Sequence, residues 1–512
     1  MKKITMICMA AMLLLAASCK KEKEEINEPA GEVSVFSVET EVHSGDSKTH
    51  LEGARVIWDN YDAINVINGN NVSKEFTFSK YVDGGDGSVA EFKAENLPAD
   101  FYKPNYTGYY PSNFNPSSYS MLQTQTYSAN GFVAGSNPMI ATNEAKKLLH
   151  FKNVLGILEL QLKSVDNPMT VKEIRVRSNV NEMLWGTGSV VNGEFKVSSG
   201  GSNTVKLNCG SVTINSTTPT SFFILLPPGT LSGGFEVDVV DTDGEFWIKK
   251  SENSNTIIRS RIRRMPAQSV ETGTCEDVQL WPDGPYWATK NLGAENPWNY
   301  GDYYQWGAAP GIYGDNIPTL YTSGNKPAQT GTGNYTITLR IGHTGGYAIN
   351  ANCPYRGSDG WSKYTATDGR NELEDADDIA YQLTKLDEKV YHMPNNDDFS
   401  TLLSNTTQEL VNYHGVSGWK FYGKNDYVDR FIFLPRAGEV GKYQTSSSGY
   451  INVIEYRGTE ADYWSRTLNR EYGDAILSAH CLSDMSGGNP VAYNEYINRW
   501  FGMPVRPLRP NN

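Results

Sequence analysis

The chain has 512 residues, 39% of them hydrophobic and 20% charged, with 45 Lys and Arg against 58 Asp and Glu for a net charge of −13. That length suggests two to four domains, each able to bury its own core, and a charged fraction near the average of about 25% argues against wholesale disorder. The acidic balance excludes nucleic acid as a partner, since such binding needs phosphates neutralised by a basic face.

The first element in chain order is an address. Lys2 and Lys3 precede an apolar run from Ile4 to Ala17, which has the length of a signal peptide and falls short of the ~20 residues of a membrane span. The run ends Leu15-Ala16-Ala17-Ser18-Cys19, which resembles the lipobox of bacterial lipoproteins. That resemblance implies a signal peptide over residues 1–18, lipidation (palmitate) of Cys19, and a membrane partner held through this anchor. Residues 19–32 read as an acidic tether. Its start, Lys20-Lys21-Glu22-Lys23-Glu24-Glu25, is similar to the tags that send lipoproteins to the outer face of the cell outer membrane. Residues 1–18 contain two lysines and no acid, so the mature chain carries −15. Cys209, Cys275, Cys353 and Cys481 remain after Cys8 and Cys19. In an oxidising compartment they allow three pairings, and without a C-x-x-C spacing they do not suggest zinc.

Residues 33–270 read as short strands with apolar residues at every second position, one face of each in water. Examples are Gly31–Val38, Ala54–Trp58, Gly156–Leu162, Val171–Arg177, Ser221–Leu226 and Phe235–Val240. Asn68-Gly69-Asn70 and Asp241-Thr242-Asp243-Gly244 suit hairpins. This is a β-sandwich pattern. Thr256–Arg264 alternates as a last strand with Arg259, Arg261 and Arg263 on one face, and the favoured reading is an edge strand whose charges prevent edge-to-edge pairing.

The C-terminal part differs in composition. Eight of the eleven tryptophans fall after residue 280. Leu373–Leu386 spaces Leu373, Ala376, Ile379, Ala380, Leu383 and Leu386 along one helical face, with Glu374, Asp375, Asp377 and Asp378 in its first turns. A second helix is expected after Pro394, capped by Asn or Asp within Asn395–Asp398 and continuing through Phe399, Leu402 and Leu403. With short strands such as Phe431–Leu434, this reads as α+β with much loop.

Two resemblances follow from these residues. Thr49–Val66, Phe151–Leu162 and Phe222–Gly229 followed by Gly234–Val237 are similar to the conserved stretches of the fimbrillin-type pilin family of Gram-negative anaerobes. The family implies two tandem β-sandwiches, here 33–150 and 151–270, in lipoproteins that assemble into, cap or anchor surface pili. Stalk pilins of the family have a protease-cleaved loop after the first strands, usually at an arginine. Here the first arginine, Arg55, falls inside the expected strand entering Trp58, which favours a tip or accessory subunit. Residues 275–510 resemble the FISUMP-type major paralogous domain, similar in fold to C-type lectins. The match rests on Trp287–Ala294, Tyr300–Gly307, Glu374–Asp378, Met393–Phe399, Phe433–Gly438, Tyr463–Ser465 and Pro504–Pro507.

The expected fold class is therefore mainly β, two fimbrillin-like β-sandwiches followed by an α+β C-type-lectin-like domain. Scattered histidines and the absence of H-E-x-x-H, G-x-S-x-G and phosphate-loop patterns argue against an enzyme. The arginine-rich signature of the fold's enzymatic relatives is absent too, so Cys353 and Cys481 are a candidate structural disulfide rather than a metal site. No metal is assigned. Calcium is a candidate at Glu374–Asp378, Asn395–Asp398 and, best, the loop Asn425-Asp426…Asp429, because hard cations take several oxygens. Tyr300, Tyr303, Tyr304 and Trp306 read as core. Tyr355, Trp361 and Tyr364, in a polar glycine-rich loop, are the preferred ligand contacts, with Tyr443, Tyr450 and Tyr456 as a second choice. The reading is a lipid-anchored adhesin, with other pilus subunits and a host or dietary glycan or protein as partners. Its alternative is a surface glycan-binding lipoprotein that assists polysaccharide capture outside any pilus.

Overall fold

The computed structural model describes residues 34–40 and 57–511, apart from 83–86, 99–100, 130, 313–315, 317, 338–352, 358–359, 366, 447–448, 471–477 and 485–487. Cys19, the tether and Arg55 lie outside the described residues. Among the described residues no helix is long and apolar enough to cross a membrane.

The chain is mainly β. Its first unit closes into a ring of strands in the order Ser34–Thr40, Leu148–Asn153, Met139–Glu144, Tyr106–Tyr110, Ala63–Ile67, Ser73–Tyr81 and Val89–Ala94. Ser34–Thr40 completes the ring, parallel to Leu148–Asn153 and antiparallel to Val89–Ala94. Alternation explains why the ring closes here, since Phe36, Val38, Ile64, Val66, Phe76 and Phe92 all point inward and are fully buried. Closure leaves every one of these strands paired on both sides. Asn68 builds the expected turn, its Oδ1 accepting from the amides of Asn70 and Val72 at 2.9 Å.

The second unit packs two sheets around Leu158, Leu160, Ile174, Val176, Phe222 and Val239. One sheet orders Thr220–Leu226, Gly156–Ser164 and Ile262–Arg264, with Gln268–Val270 also on Gly156–Ser164. The other runs Phe246–Ser251, Phe235–Asp241, Met169–Ser178, Thr204–Ile214, Thr124–Ser128 and Gly131–Phe132. The last two strands, and Tyr119–Met121 beside Gly186–Val191, come from the segment 33–150 and yet complete the second unit. Alternation cannot show which sheet a strand joins.

The expected strand Thr256–Arg264 is two short ones, Asn255–Ile257 and Ile262–Arg264, broken where Ser260 turns with φ +57°. Its arginines do not share a face. Arg259 donates to the carbonyls of Asn153 and Lys152 at 3.0 and 3.3 Å, Arg263 to Asn255, and Arg264 to the buried Glu159 at 2.7 Å. Ile262–Arg264 does lie at a sheet edge, while Arg259 ties the two β units together.

In the C-terminal module the first helix is shorter than its periodicity predicts. It spans Ile379–Thr384, because the Asp378 side chain accepts from the amides of Ala380 and Tyr381 and so starts the helix there. Leu386 lies beyond it, 92% exposed. The second helix, Asn396–Asn405, has the expected cap: Asn395 accepts from the Asp398 amide and Asp398 accepts in return, a capping box. Five small sheets accompany them among the described residues. The last strand, Leu508–Arg509, returns to pair with Tyr286–Ala288 at the module's start.

The units are not beads on a string. One apolar cluster joins Ile140 to Leu155, Phe195 and Leu225, and another joins Val240 and Phe246 to Leu280, Trp287 and Phe431. The strand Phe235–Asp241 is consequently buried at every residue. Glu236 and Asp238, which alternation assigns to solvent, face the C-terminal module instead.

One buried acid sets a pH dependence within the module. Asp462 is 2% exposed, accepts from Ser483 Oγ at 2.6 Å, and its Oδ2 has no partner. Burial, with Glu460 and Asp484 nearby, pushes its carboxyl up to about 7. A raised carboxyl binds its proton more tightly when folded. Stability from this group is therefore greatest in acid and falls as pH rises from ~4 to ~7, by up to ~1.4 kcal/mol per unit. Asp462→Asn imitates the neutral form and is expected to gain about 1 kcal/mol relative to wild type between pH 6 and pH 8. Parallel denaturant titrations at the two pH values measure this, and equal slopes for both proteins would refute the assignment.

Candidate contact surface of the C-terminal module

The motif aromatics of this module build its core. Tyr300, Tyr303, Tyr304, Trp306, Trp287 and Trp464 are each at most 2% exposed; Trp287 Nε1 has no hydrogen-bond partner, while the polar atoms of Tyr303, Trp306 and Trp464 are spent on the backbone. Trp306 Nε1 donates to Ser465 O at 2.9 Å, Trp464 Nε1 to Tyr304 O at 2.8 Å, and Tyr303 OH to Ala437 O at 2.6 Å. Arg506, in the stretch Pro504–Pro507, is fully buried and donates to Asn291 and to the carbonyls of Ala288, Thr289 and Phe433. These residues hold loops in place; they do not form a ligand site.

Against this core the hairpin Arg356–Gly357 and Gly360–Trp361 stands at the surface. Trp361 is half-buried, while Arg356 and Ser362 are exposed. The indole lies on the guanidinium of Arg499, 3.4 Å from its ring centroid, and Arg499 in turn lies 5.2 Å from the Trp306 ring. Such stacking fixes a flat ring electrostatically as well as by contact. The hairpin's flanks are held by one carboxylate. Asp377 accepts from Tyr355 OH, Tyr364 OH and Lys363 Nζ, and Tyr364 OH also accepts from the Glu374 amide at 2.9 Å. Burial first, then Asp377, raises both phenols far above their usual range, so they stay neutral donors.

The three preferred residues therefore divide. Tyr364 is fully buried, 5.1 Å from Trp306 edge to face, and cannot touch a ligand; its glycine-rich surroundings hid a core position. Tyr355 is half-buried and anchors the loop. Trp361 alone of the three offers ring surface at an exposed hairpin. Tyr456 is half-buried, and the side chains of Tyr443 and Tyr450 lie outside the described residues. Sequence reasoning passed over Trp298, which is half-buried and stacks on the exposed His414 at 3.9 Å. Its place beside a dense motif masked it.

The acidic clusters are consumed by the protein itself. Asp377 gathers the hairpin, Asp378 and Asp398 cap helices, and the best calcium candidate is turned into the seam with the second unit. There Asp426 accepts from Gln123 Nε2 at 2.8 Å and Ser202 Oγ at 3.1 Å, and Asp429 faces Arg175 at 2.6 Å. Among the described residues no group of three or more His, Cys, Asp or Glu is arranged to hold a metal. Cys209, Cys275, Cys353 and Cys481 are all free thiols, so the pairing of Cys353 with Cys481 is not formed. Both are buried, and burial pushes the Cys353 thiol up to about 12 and raises that of Cys481 strongly. Neither thiol has the thiolate character that reactivity requires.

No known protein family matches the chain, and no curated protein matches it. Solved structures give faint likenesses. A protein assigned to cell adhesion from Bacteroides uniformis shares 15% identity over 46% of this chain and 94% of its own, with a TM-score of 0.30. Another from Bacteroides ovatus shares 12% over 44% and 89%, at 0.29. A fimbrial protein from Bacteroides ovatus covers 95% of this chain and 100% of its own at 12% identity, with a TM-score of 0.26. Scores this low decide nothing about activity.

Proposed function

We propose that the chain is a lipid-anchored surface adhesin of fimbrial type, held to the outer membrane at Cys19 and making contact through its C-terminal lectin-like module. The observation that carries this reading is the Trp361 hairpin. It is a fixed aromatic platform at the surface of a module whose motif aromatics are otherwise buried, and flat rings of this kind cover the apolar face of a sugar. The closed first unit supports a tip or accessory position over a stalk, because its ring has no open edge to receive a strand from a neighbour. The reading assigns no catalytic role to any residue.

The test is a glycan array probed with wild type and with Trp361→Ala. Loss of most binding, at least tenfold, is expected on truncating a central aromatic anchor, with the melting temperature of the variant close to that of wild type. Undiminished binding by Trp361→Ala would remove the hairpin from the contact surface. Filaments labelled by antibody distinguish a pilus subunit from the alternative, a glycan-capturing lipoprotein, which would retard one polysaccharide as a monomer.

A further inference from the structure

The seam between the second unit and the C-terminal module carries more acid than base. From the strand Met169–Ser178 come Glu173, Arg175 and Arg177, and from Phe235–Asp241 come Glu236 and Asp238. The loop after Tyr422 supplies Asp426, Asp429 and Arg430, with the ring of Tyr427 between Arg177 and Arg430 at 4.0 and 4.9 Å. Gln123 and Ser202, both neutral, donate to Asp426, and Cys275 lies near Asp238 and Arg430. Arg430 is fully buried and donates to Glu236 and to both oxygens of Asp238. Arg177 reaches Glu236 at 2.7 Å and Asp238 at 3.4 Å. Arg175 is shared between Glu173 at 2.5 Å and Asp429 at 2.6 Å.

Three guanidiniums thus face five carboxylates. Four of the five are well served by hydrogen bonds. Asp429, with its side chain 3% exposed, meets Arg175 without hydrogen-bond alignment, and neither of its oxygens has another partner. A buried carboxylate in surplus, with unfilled acceptor sites, is the position in such a cluster where a proton relieves most repulsion and desolvation.

We propose that this seam is a proton-sensitive clasp, in which Asp429 takes up a proton in mildly acidic surroundings and fastens the C-terminal module to the second unit, and loses it in alkaline surroundings, easing the docking. The electrostatics agree in direction. Burial first, and Asp238 next, push the Asp429 carboxyl up to about 7 against the pull of Arg175, Arg430 and Arg177. Asp238 moves the other way: burial opposes its charge, but Arg430 and Arg177 hold it below the usual carboxylate range. Asp238 therefore remains ionised while Asp429 titrates. A group bound more tightly by protons in the closed seam than in the open one makes closing more favourable as pH falls.

Hydrogen–deuterium exchange of the full chain, corrected for intrinsic rates, reads the opening of Met169–Ser178, Phe235–Asp241 and residues 423–430. Between pH 6 and pH 8 the opening frequency is expected to rise about tenfold. Asp429→Asn, isosteric with the neutral acid, is expected to abolish that rise and to be as protected at pH 8 as wild type is at pH 6. Asp462→Asn, which removes a titrating carboxyl elsewhere in the module, is expected to leave the seam's rise intact. A wild-type seam indifferent to pH, or a tenfold rise that survives in Asp429→Asn, overturns the proposal.

Discussion

Replacing Arg430 by methionine is expected to destabilise the chain by about 3–5 kcal/mol, the range for removing one partner from a buried ion pair. The guanidinium is fully buried and serves Glu236 and Asp238 together. Methionine fills much the same volume, so lost packing contributes little. What remains is two desolvated carboxylates sharing Arg177, and their mutual repulsion falls at the junction of two modules. The loss should therefore appear as separation of one unfolding transition into two, read by tryptophan fluorescence in urea and by exchange at the seam. A cost under about 1 kcal/mol would mean that water reaches the cluster and that the docking is apolar in origin. Neutralising one acid as well, with Asp238→Asn in the same chain, should recover part of the deficit, because Glu236 keeps Arg177 at 2.7 Å. A buried carboxylate that still has its own guanidinium lacks the uncompensated charge that makes a half-broken cluster so costly.

Trp464→Ala is expected to cost a further class of energy, about 3–5 kcal/mol of cavity and transfer terms. The indole is fully buried, donates to Tyr304 O, and shares an apolar cluster with Trp306, Tyr364, Leu373 and Met503. Trp306 and Tyr364 are the floor beneath the Trp361 hairpin. The substitution should therefore weaken glycan retention together with stability, although Trp464 touches no ligand. Trp361→Ala separates the two effects, since it should remove binding while leaving denaturation almost unchanged. If Trp464→Ala folded as stably as wild type, the core assignment of the motif aromatics would be wrong.

Much of the architecture is legible in the residues. Gly156–Leu162, Val171–Arg177 and Ser221–Leu226 alternate, and each is a strand within one or two residues of its expected ends. Asn395–Asp398 announces a helix cap, because side-chain oxygens must meet orphan amides, and the structure makes it a capping box. Acids crowded at Glu374–Asp378 suit a helix start, yet only Asp378 caps one, and Asp377 is spent on the hairpin instead. Local chemistry states what a residue can accept and leaves open which donor reaches it.

The same limit governs the candidate surface. Tyr364 and Trp361 sit in one polar loop and look alike in sequence, and only packing places the first in the core and the second at the surface. A glycine-rich stretch gives the chain freedom to turn, and the direction of the turn depends on what lies behind it: Arg499 under one ring, Trp306 beside the other.

By itself the sequence determines the alternation that makes this a β protein, the acidic balance, the turn and cap chemistry, and the segregation of tryptophan into one module. These are properties of neighbouring residues and act over a few ångströms of chain. Only the tertiary structure decides that Thr124–Ser128 completes the second unit rather than the first. It alone turns Glu236, Asp238, Asp426 and Asp429 away from water and into a seam, where they meet arginines as many as 254 positions distant in the chain. Period-two patterning marks which residues share a face of a strand; whether that face meets solvent or another domain depends on docking, and docking joins residues that no local pattern relates.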